Sequence, residues 1–193
     1  MAIRDGFLDY ADRLQVALAA TDWPALEQLA ETLLECWQTG RRIFVCGNGG
    51  SAANAAHMAN DLIYGIAKRE APGLRIHALT ANVAVLTCLA NDEGYDEVFA
   101  RQLAVDARPG DVLIALSGSG NSPNILKALE QAAAMGVCSF AILGYSGGKA
   151  KRLADVPIHF AIDDMQISED LQLIVNHMIM QWLYANRALR GPA

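Results

Sequence analysis

Five short apolar runs recur along the chain: Ile43 to Cys46, Ile76 to Leu79, Val112 to Leu116, Ser139 to Leu143 and Val156 to Phe160. Runs of this length without polar alternation are strands buried on both faces, and strands joined by helical crossovers lie parallel. The pattern commits the chain to an α/β fold, a three-layer sandwich with a five-stranded parallel sheet of the flavodoxin-like kind. Helices are predicted to begin near Ser51, Asn82, Ser122 and Gly148, and a long final helix to run from about Gln166 to Arg187. Two amphipathic helices precede the first strand. Their apolar faces are Phe7, Tyr10, Leu14 and Leu18, then Leu26, Leu29, Ala30, Leu33 and Leu34, with Asp22 and Pro24 marking the second start. No linker or repeat divides the 193 residues. The chain therefore reads as one domain over 1–193, with helices in 1–40, an α/β core in 41–165 and a closing helix in 166–189.

Two strand ends carry unusual loops. The first strand runs into Gly47-Asn48-Gly49-Gly50-Ser51, and the third into Ser117-Gly118-Ser119-Gly120-Asn121-Ser122 before Pro123. Glycines let the backbone approach a ligand closely, and the first N–H groups of the following helix need an acceptor. In the second loop Ser117, Ser119 and Ser122 add neutral hydroxyl donors, Ser122 falls at the N-cap position and Pro123 at the first helical one. A phosphate monoester suits such a nest. Neither loop has the Gly-Lys-Ser/Thr of a P-loop or the Gly-x-Gly-x-x-Gly of a dinucleotide site, so no nucleotide is expected. Either loop alone also reads as an ordinary strand-to-helix turn. In an open parallel sheet, ligands bind beyond the carboxyl ends of the strands, where both loops fall, so the two can share one ligand.

Composition narrows the function classes. A formal net charge of −6 argues against a general nucleic-acid-binding surface, which relies on clustered Lys and Arg. Cys36, Cys46, Cys88 and Cys138 lie far apart with no Cys-x-x-Cys, which reads as free thiols in a reducing cytoplasm. The N-terminal run Met1 to Gly6 lacks a signal pattern, and no stretch approaches the roughly 18 apolar residues of a membrane span. The expectation is a soluble cytoplasmic protein with no membrane contact.

His57 and Asp61 stand at i and i+4 on the helix that leaves the first loop, about 40° apart in rotation, so both can face one site. On the last helix, Glu169, Asp170 and His177 interrupt an apolar run; Asp170 and His177 lie nearly in line, and Glu169 is displaced by about 80° from His177. Read alone, the first pair also fits a surface hydrogen bond, and the carboxylates of the second set fit a solvated acidic helix start. His77 and His159 read as strand residues, and Asn124 and Lys127 as helix-surface residues.

The two loops, with His57 and the run Ala90-Asn91-Asp92, resemble the sugar isomerase (SIS) domain and, within it, the phosphoheptose (sedoheptulose 7-phosphate) isomerases. That resemblance spans the chain from the N-terminal helices to about Leu183 and is more specific for phosphosugar binding than for the reaction. It implies an aldose-ketose isomerase that works by enediol proton transfer with Asp61 and His177 as base and acid. It implies contacts to sugar and phosphate from Asn48, Gly49, Gly50, Ser51, Asp92, Ser117, Gly118, Ser119, Ser122 and Glu169. It also implies zinc held by His57, Asp61, Glu169 and His177, and a homotetramer with sites near subunit boundaries. The chain departs from the family pattern at Asp61, where Glu is usual, and at Glu169, where Gln is usual. An alternative register through Gln172 places Met180 at the histidine position, so Glu169 with His177 is preferred. Two alternatives stay open: a noncatalytic binding module similar to the DnaA initiator-associating protein, and an isomerase of another sugar phosphate.

Overall fold

The computed structural model describes residues 2–190. Two helices come first, α1 (Ile3–Ala19) and α2 (Trp23–Thr39), followed by β1 (Arg42–Gly47) and α3 (Gly50–Asn60), which passes into one π turn over Asp61–Gly65. Next come β2 (Arg75–Ala78), α4 (Val83–Asp92), α5 (Ala100–Asp106), β3 (Val112–Ser117) and α6 (Pro123–Met135). The chain ends with β4 (Cys138–Leu143), α7 (Ala150–Leu153), β5 (Val156–His159), α8 (Met165–Ala185) and a 3-10 turn at Arg187–Arg190. Every strand pair is parallel and the order is β2-β1-β3-β4-β5. All five predicted strands form, each within a residue of its expected bounds. The predicted helices form too. The addition is α5, a seven-residue helix with only Ala100 and Leu103 buried, too short for its periodicity to stand out.

Residues alternate between two cores across the sheet. Ile43, Val45, Ile114 and Ile142 face one core, with Leu29 and Leu33 of α2, Met58 of α3 and Leu171, Val175 and Ile179 of α8. Phe44, Cys46, Leu113 and Ala141 face the other, with Leu103 of α5 and Ile125 and Leu129 of α6. The crossover from β1 thus packs on one side of the sheet and the crossover from β3 on the other, although β1 and β3 are neighbours. Their carboxyl ends diverge into opposite layers and leave a crevice between them. Cys46 is fully enclosed, and burial pushes its thiol up to about 12; burial likewise pushes Cys36 to about 11.

Local chemistry starts and stops the helices as the sequence indicates. Asp22 accepts from the amide of Ala25 at the start of α2, and Asn82 from that of Val85 at the start of α4. Gly40 closes α2 in the left-handed region, with φ at 73°. Helix α1 packs lightly, with Ala17 its buried residue, and side chains tie it to α8. The Tyr10 hydroxyl donates to Asp170 at 2.6 Å, and Arg13 pairs with Asp164, the N-cap of α8. Burial first, then the bond to Asp170, pushes the Tyr10 phenol to about 12. Asp170 is accordingly a strut for α1. Phe7 is exposed and Trp23 half-exposed, whereas Trp37 is buried and donates from Nε1 to the Pro72 carbonyl.

Asp111 holds the opposite end of the central strands. Its buried carboxylate accepts from the amides of Arg42 at 2.9 Å and Arg108 at 2.8 Å. Asp111→Ala leaves two backbone donors without their partner, and the expected loss of stability is about 2–4 kcal/mol in chemical denaturation. A change below about 0.5 kcal/mol would show that water replaces the carboxylate at no cost.

Candidate functional site

The two loops lie side by side because β1 pairs with β3, with Gly47 opposite Leu116 in register. They enclose a cavity of about 250 Å³ lined by Asn48 to Ser51 from one loop, Ser117 to Ser119 and Ser122 from the other, and Met165 and Glu169 from α8. The serine loop is braced from within: the Ser117 hydroxyl accepts from the Gly120 amide at 3.1 Å and the Ser119 hydroxyl from the Asn121 amide at 3.3 Å. Gly120 sits at φ 63°, and a Cβ there would come within 2.0 Å of the Gly147 carbonyl, so this corner of the loop requires glycine. Ser122 occupies the N-cap of α6 without a side-chain cap bond and is among the residues that line the cavity.

Asn48 is held by a reciprocal pair of bonds with Asn124, each amide donating to the other's oxygen at 2.8 Å, and it also accepts from the Tyr95 hydroxyl at 3.0 Å. Asn124 is buried, which corrects its reading as a surface residue. Its position one turn into a helix hides this, because the partner lies 76 residues away. Lys127 pairs with Asp96 and Glu97. Asp92 ends α4 in an exposed position, where it accepts from Asn91 at 2.7 Å and stands outside the residues that line the cavity. His77 and His159 lie on β2 and β5 as expected, and the His159 ring is engaged by Lys151 and the Tyr145 carbonyl.

Helices α3 and α8 meet through a buried polar clamp. Asn54 donates to the Glu169 carbonyl at 2.9 Å and to Gln172 Oε1 at 3.0 Å, while Gln172 donates from Nε2 to the Ser51 hydroxyl at 3.0 Å. Gln172, to which the preferred register gives no ligand role, is the joint between the first loop and the last helix. One turn and two turns beyond the clamp, the same helices bring His57, Asp61 and His177 together. His57 Nε2 lies 3.0 Å from His177 Nε2, and Asp61 Oδ2 lies 3.2 and 3.5 Å from the two nitrogens. Two Nε2 atoms this close cannot both carry a proton against each other, so at least one imidazole presents a lone pair here. Asn176 donates to the same Asp61 oxygen at 2.8 Å, and its own Oδ1 is buried without a partner. Turning that amide over would set oxygen against carboxylate, so the unpaired atom follows from holding Asp61 in place. The π turn begins at Asp61, and such turns widen a helix where a side chain must be aimed.

These three donors form one group in which all ligand atoms lie within 4.8 Å of one another. Tetrahedral zinc at 2.0–2.1 Å from its ligands separates them by about 3.3 Å, close to the distances here, and three protein donors leave one position open. Glu169, expected as a fourth ligand, is not in the group. Its carboxylate lies against Gly50 at the start of α3, where a Cβ would come within 2.2 Å of Oε2. Eight residues before His177 on α8, a little over two turns away, it lines the loop cavity and stands apart from the trio.

Residues 6–144 match the SIS domain family. Across the chain, the phosphoheptose isomerase of Akkermansia muciniphila is 39% identical over 180 residues, covering 93% of each chain, and that of Rhodospirillum rubrum is 40% identical over 156 residues, covering 81% of this chain and 82% of the relative. Among solved structures, the phosphoheptose isomerase of Neisseria gonorrhoeae superposes with a TM-score of 0.86 at 30% identity, over 95% of this chain and 97% of its own. That of Francisella tularensis gives 0.88 at 28% identity, over 96% and 100%. The chain belongs to the SIS domain family and, within it, to the phosphoheptose isomerases.

Gln172→Leu keeps the side-chain volume close but strips Ser51 and Asn54 of a buried partner. The expected loss is about 2–4 kcal/mol in urea or guanidinium unfolding, since unpaired buried groups bear their full desolvation penalty. Wild-type stability in this variant would mean the clamp is not a structural joint.

Proposed function

We propose that this protein interconverts sedoheptulose 7-phosphate and D-glycero-D-manno-heptose 7-phosphate. The observation that carries the reading is the convergence of His57, Asp61 and His177 on the helix pair that also closes the loop cavity. A noncatalytic binding module has no need of a carboxylate and two imidazoles aimed at one point. The phosphate is assigned to the serine loop, where the Ser122 hydroxyl and neighbouring amides are neutral donors. The Glu169 carboxylate on Gly50 excludes a second anion from the first loop and accepts from sugar hydroxyls instead. Asn48 and Ser51 complete that wall, and Asp92 is assigned a contact at its outer edge. His57 stands seven residues along α3 from Gly50, about 10 Å, a span that an extended sugar phosphate bridges.

Isomerisation moves one proton between adjacent carbons. A base takes the proton from the carbon beside the carbonyl, an acid protonates the carbonyl oxygen to form the enediol, and the reverse transfers on the other carbon complete the aldose. Asp61 is assigned as the base, with Asn176 fixing its carboxylate, and His177 as the acid. Their atoms lie 3.5 Å apart, so one small sugar segment reaches both. Asp61 is one methylene shorter than the Glu usual in the family, and with Asn176 holding its carboxylate it still lies 3.2 and 3.5 Å from the two histidines. The three donors fit zinc, which when bound would polarise the carbonyl as a Lewis acid. His57, Asp61 and His177 would hold it.

The assembly is assigned as a homotetramer. Supporting it are the exposed apolar residues Ile3, Phe7, Leu8 and Val16 of α1 and a groove of about 470 Å³ beside Trp23, Met178 and Trp182. No helix among the described residues is long and apolar enough to cross a membrane, and the buried thiols of Cys36 and Cys46 support a cytoplasmic setting.

The direct test supplies sedoheptulose 7-phosphate, with and without zinc, and looks for the aldose; no product under either condition would end the isomerase reading. In His177→Ala, turnover is expected to fall by about 10² to 10⁴ with the fold intact. Asp61→Asn separates two roles. Loss of solvent-deuterium exchange beside the carbonyl with normal zinc uptake marks a base, and reduced uptake marks a ligand. Normal exchange and normal uptake together would remove Asp61 from both roles.

A further inference from the structure

At the other end of the sheet, the parallel register places Arg42 of β1 directly opposite Arg75 of β2, and Phe44 opposite His77. Alternate residues share a face, so both arginines and the Phe44–His77 pair line the same side of the sheet. Like charges directly opposite each other on neighbouring strands are destabilising. Arg42 lies 3.8 Å from Asp106, while the Arg75 guanidinium donates to the Gly40 carbonyl at 3.0 Å and forms no ion pair among the described residues. Arg108 closes the rim, donating from its guanidinium to the carbonyls of Val105 and Ala107. The other carboxylate there, Asp111, turns both oxygens to the amides of Arg42 and Arg108. Three guanidinium groups thus stand against two carboxylates on a chain whose net charge is −6.

The arginines do not lie on a flat surface. They line two adjoining cavities of about 210 and 370 Å³, which share Arg42, Arg75 and Asp106; the larger extends along Phe44, Ile76 and His77. The guanidinium groups are held by main-chain carbonyls, which leaves further N–H donors of each fork for an incoming acceptor. Behind the charged mouth, the ring and aliphatic walls provide room for an organic group.

We propose that this cleft binds a phosphorylated small molecule, its phosphate or diphosphate seated between Arg42 and Arg75 with Arg108 at the rim. The site stands at the amino ends of β1 and β2, whereas the serine-loop cavity stands at the carboxyl ends, so the two are separate. An anion between the opposed arginines removes their repulsion, and bidentate guanidinium contacts favour phosphate over chloride. The assignment is independent of the isomerase reading, and failure of either leaves the other in place.

Pyrophosphate is the probe, titrated calorimetrically at low ionic strength into the full chain and its variants, with circular dichroism confirming each fold. Ser122→Ala weakens the serine-loop site, so the binding that remains belongs to the cleft. On the wild-type chain two events are expected. Arg75→Gln and Arg42→Gln should each weaken the event that survives Ser122→Ala by about tenfold to a hundredfold, while isomerase turnover of Arg75→Gln stays at the wild-type level. A single event that Ser122→Ala removes would overturn the proposal, as would a second event untouched by either arginine change. A shift in oligomeric state of Arg75→Gln with no pyrophosphate binding to the wild-type cleft would also overturn it, by assigning the arginines to a subunit interface.

Discussion

The buried hydrogen bonds among Ser51, Asn54 and Gln172 are the constraint on which the rest of the site depends. Helices α3 and α8 are separated by more than a hundred residues in sequence, and apolar packing alone would let them slide against one another, because hydrophobic contact is not directional. Hydrogen bonds are directional, and in an interior of low dielectric they are expensive to leave unmade. Asn54 has two acceptors on α8, and Gln172 reaches back to the first residues of α3, so the relative height of the two helices is set. The ligand-type atoms of His57, Asp61 and His177 then lie within 4.8 Å of one another. Asn176 belongs to the same device at shorter range, holding Asp61 at the expense of an unpaired oxygen.

Sheet order does the corresponding work for the loops. With β1 and β3 adjacent and their helices in opposite layers, the two glycine-bearing turns are brought together without any side chain needing to reach across the sheet. The Ser117 and Ser119 hydroxyls accept from the loop's own Gly120 and Asn121 amides, which stiffens the turn while each hydroxyl keeps its O–H to donate. Asn48, gripped by buried Asn124, fixes the first loop against the second. The result is a rigid cradle on elements of regular structure, which favours precise placement of a reacting sugar.

A parallel sheet has two unlike ends, and this protein uses them differently. The carboxyl ends are rich in glycine and hydroxyl groups, and the amino ends of β1 and β2 set guanidinium groups opposite one another. Neutral donors suit a phosphate that must enter and leave during turnover. Opposed arginines suit a ligand held by charge, and their screening by salt makes such binding responsive to ionic conditions.

Much of the architecture was legible in the amino-acid order. Five uninterrupted apolar runs specify buried parallel strands; glycine and serine at two strand ends mark the loops; i,i+4 spacing puts His57 and Asp61 on one face. These are local periodicities, and local periodicity determines which face of an element is apolar and where its ends fall. The meeting of His57 with His177 across 120 positions, the burial of Asn124, the placing of Glu169 on Gly50 and the use of Asp170 as a strut for Tyr10 were decided by tertiary packing alone. Each depends on the height and rotation of one element against another, which long-range packing sets and neighbouring residues do not encode. The opposition of Arg42 and Arg75 has the same origin, since a register between strands thirty residues apart exists only once the sheet has formed.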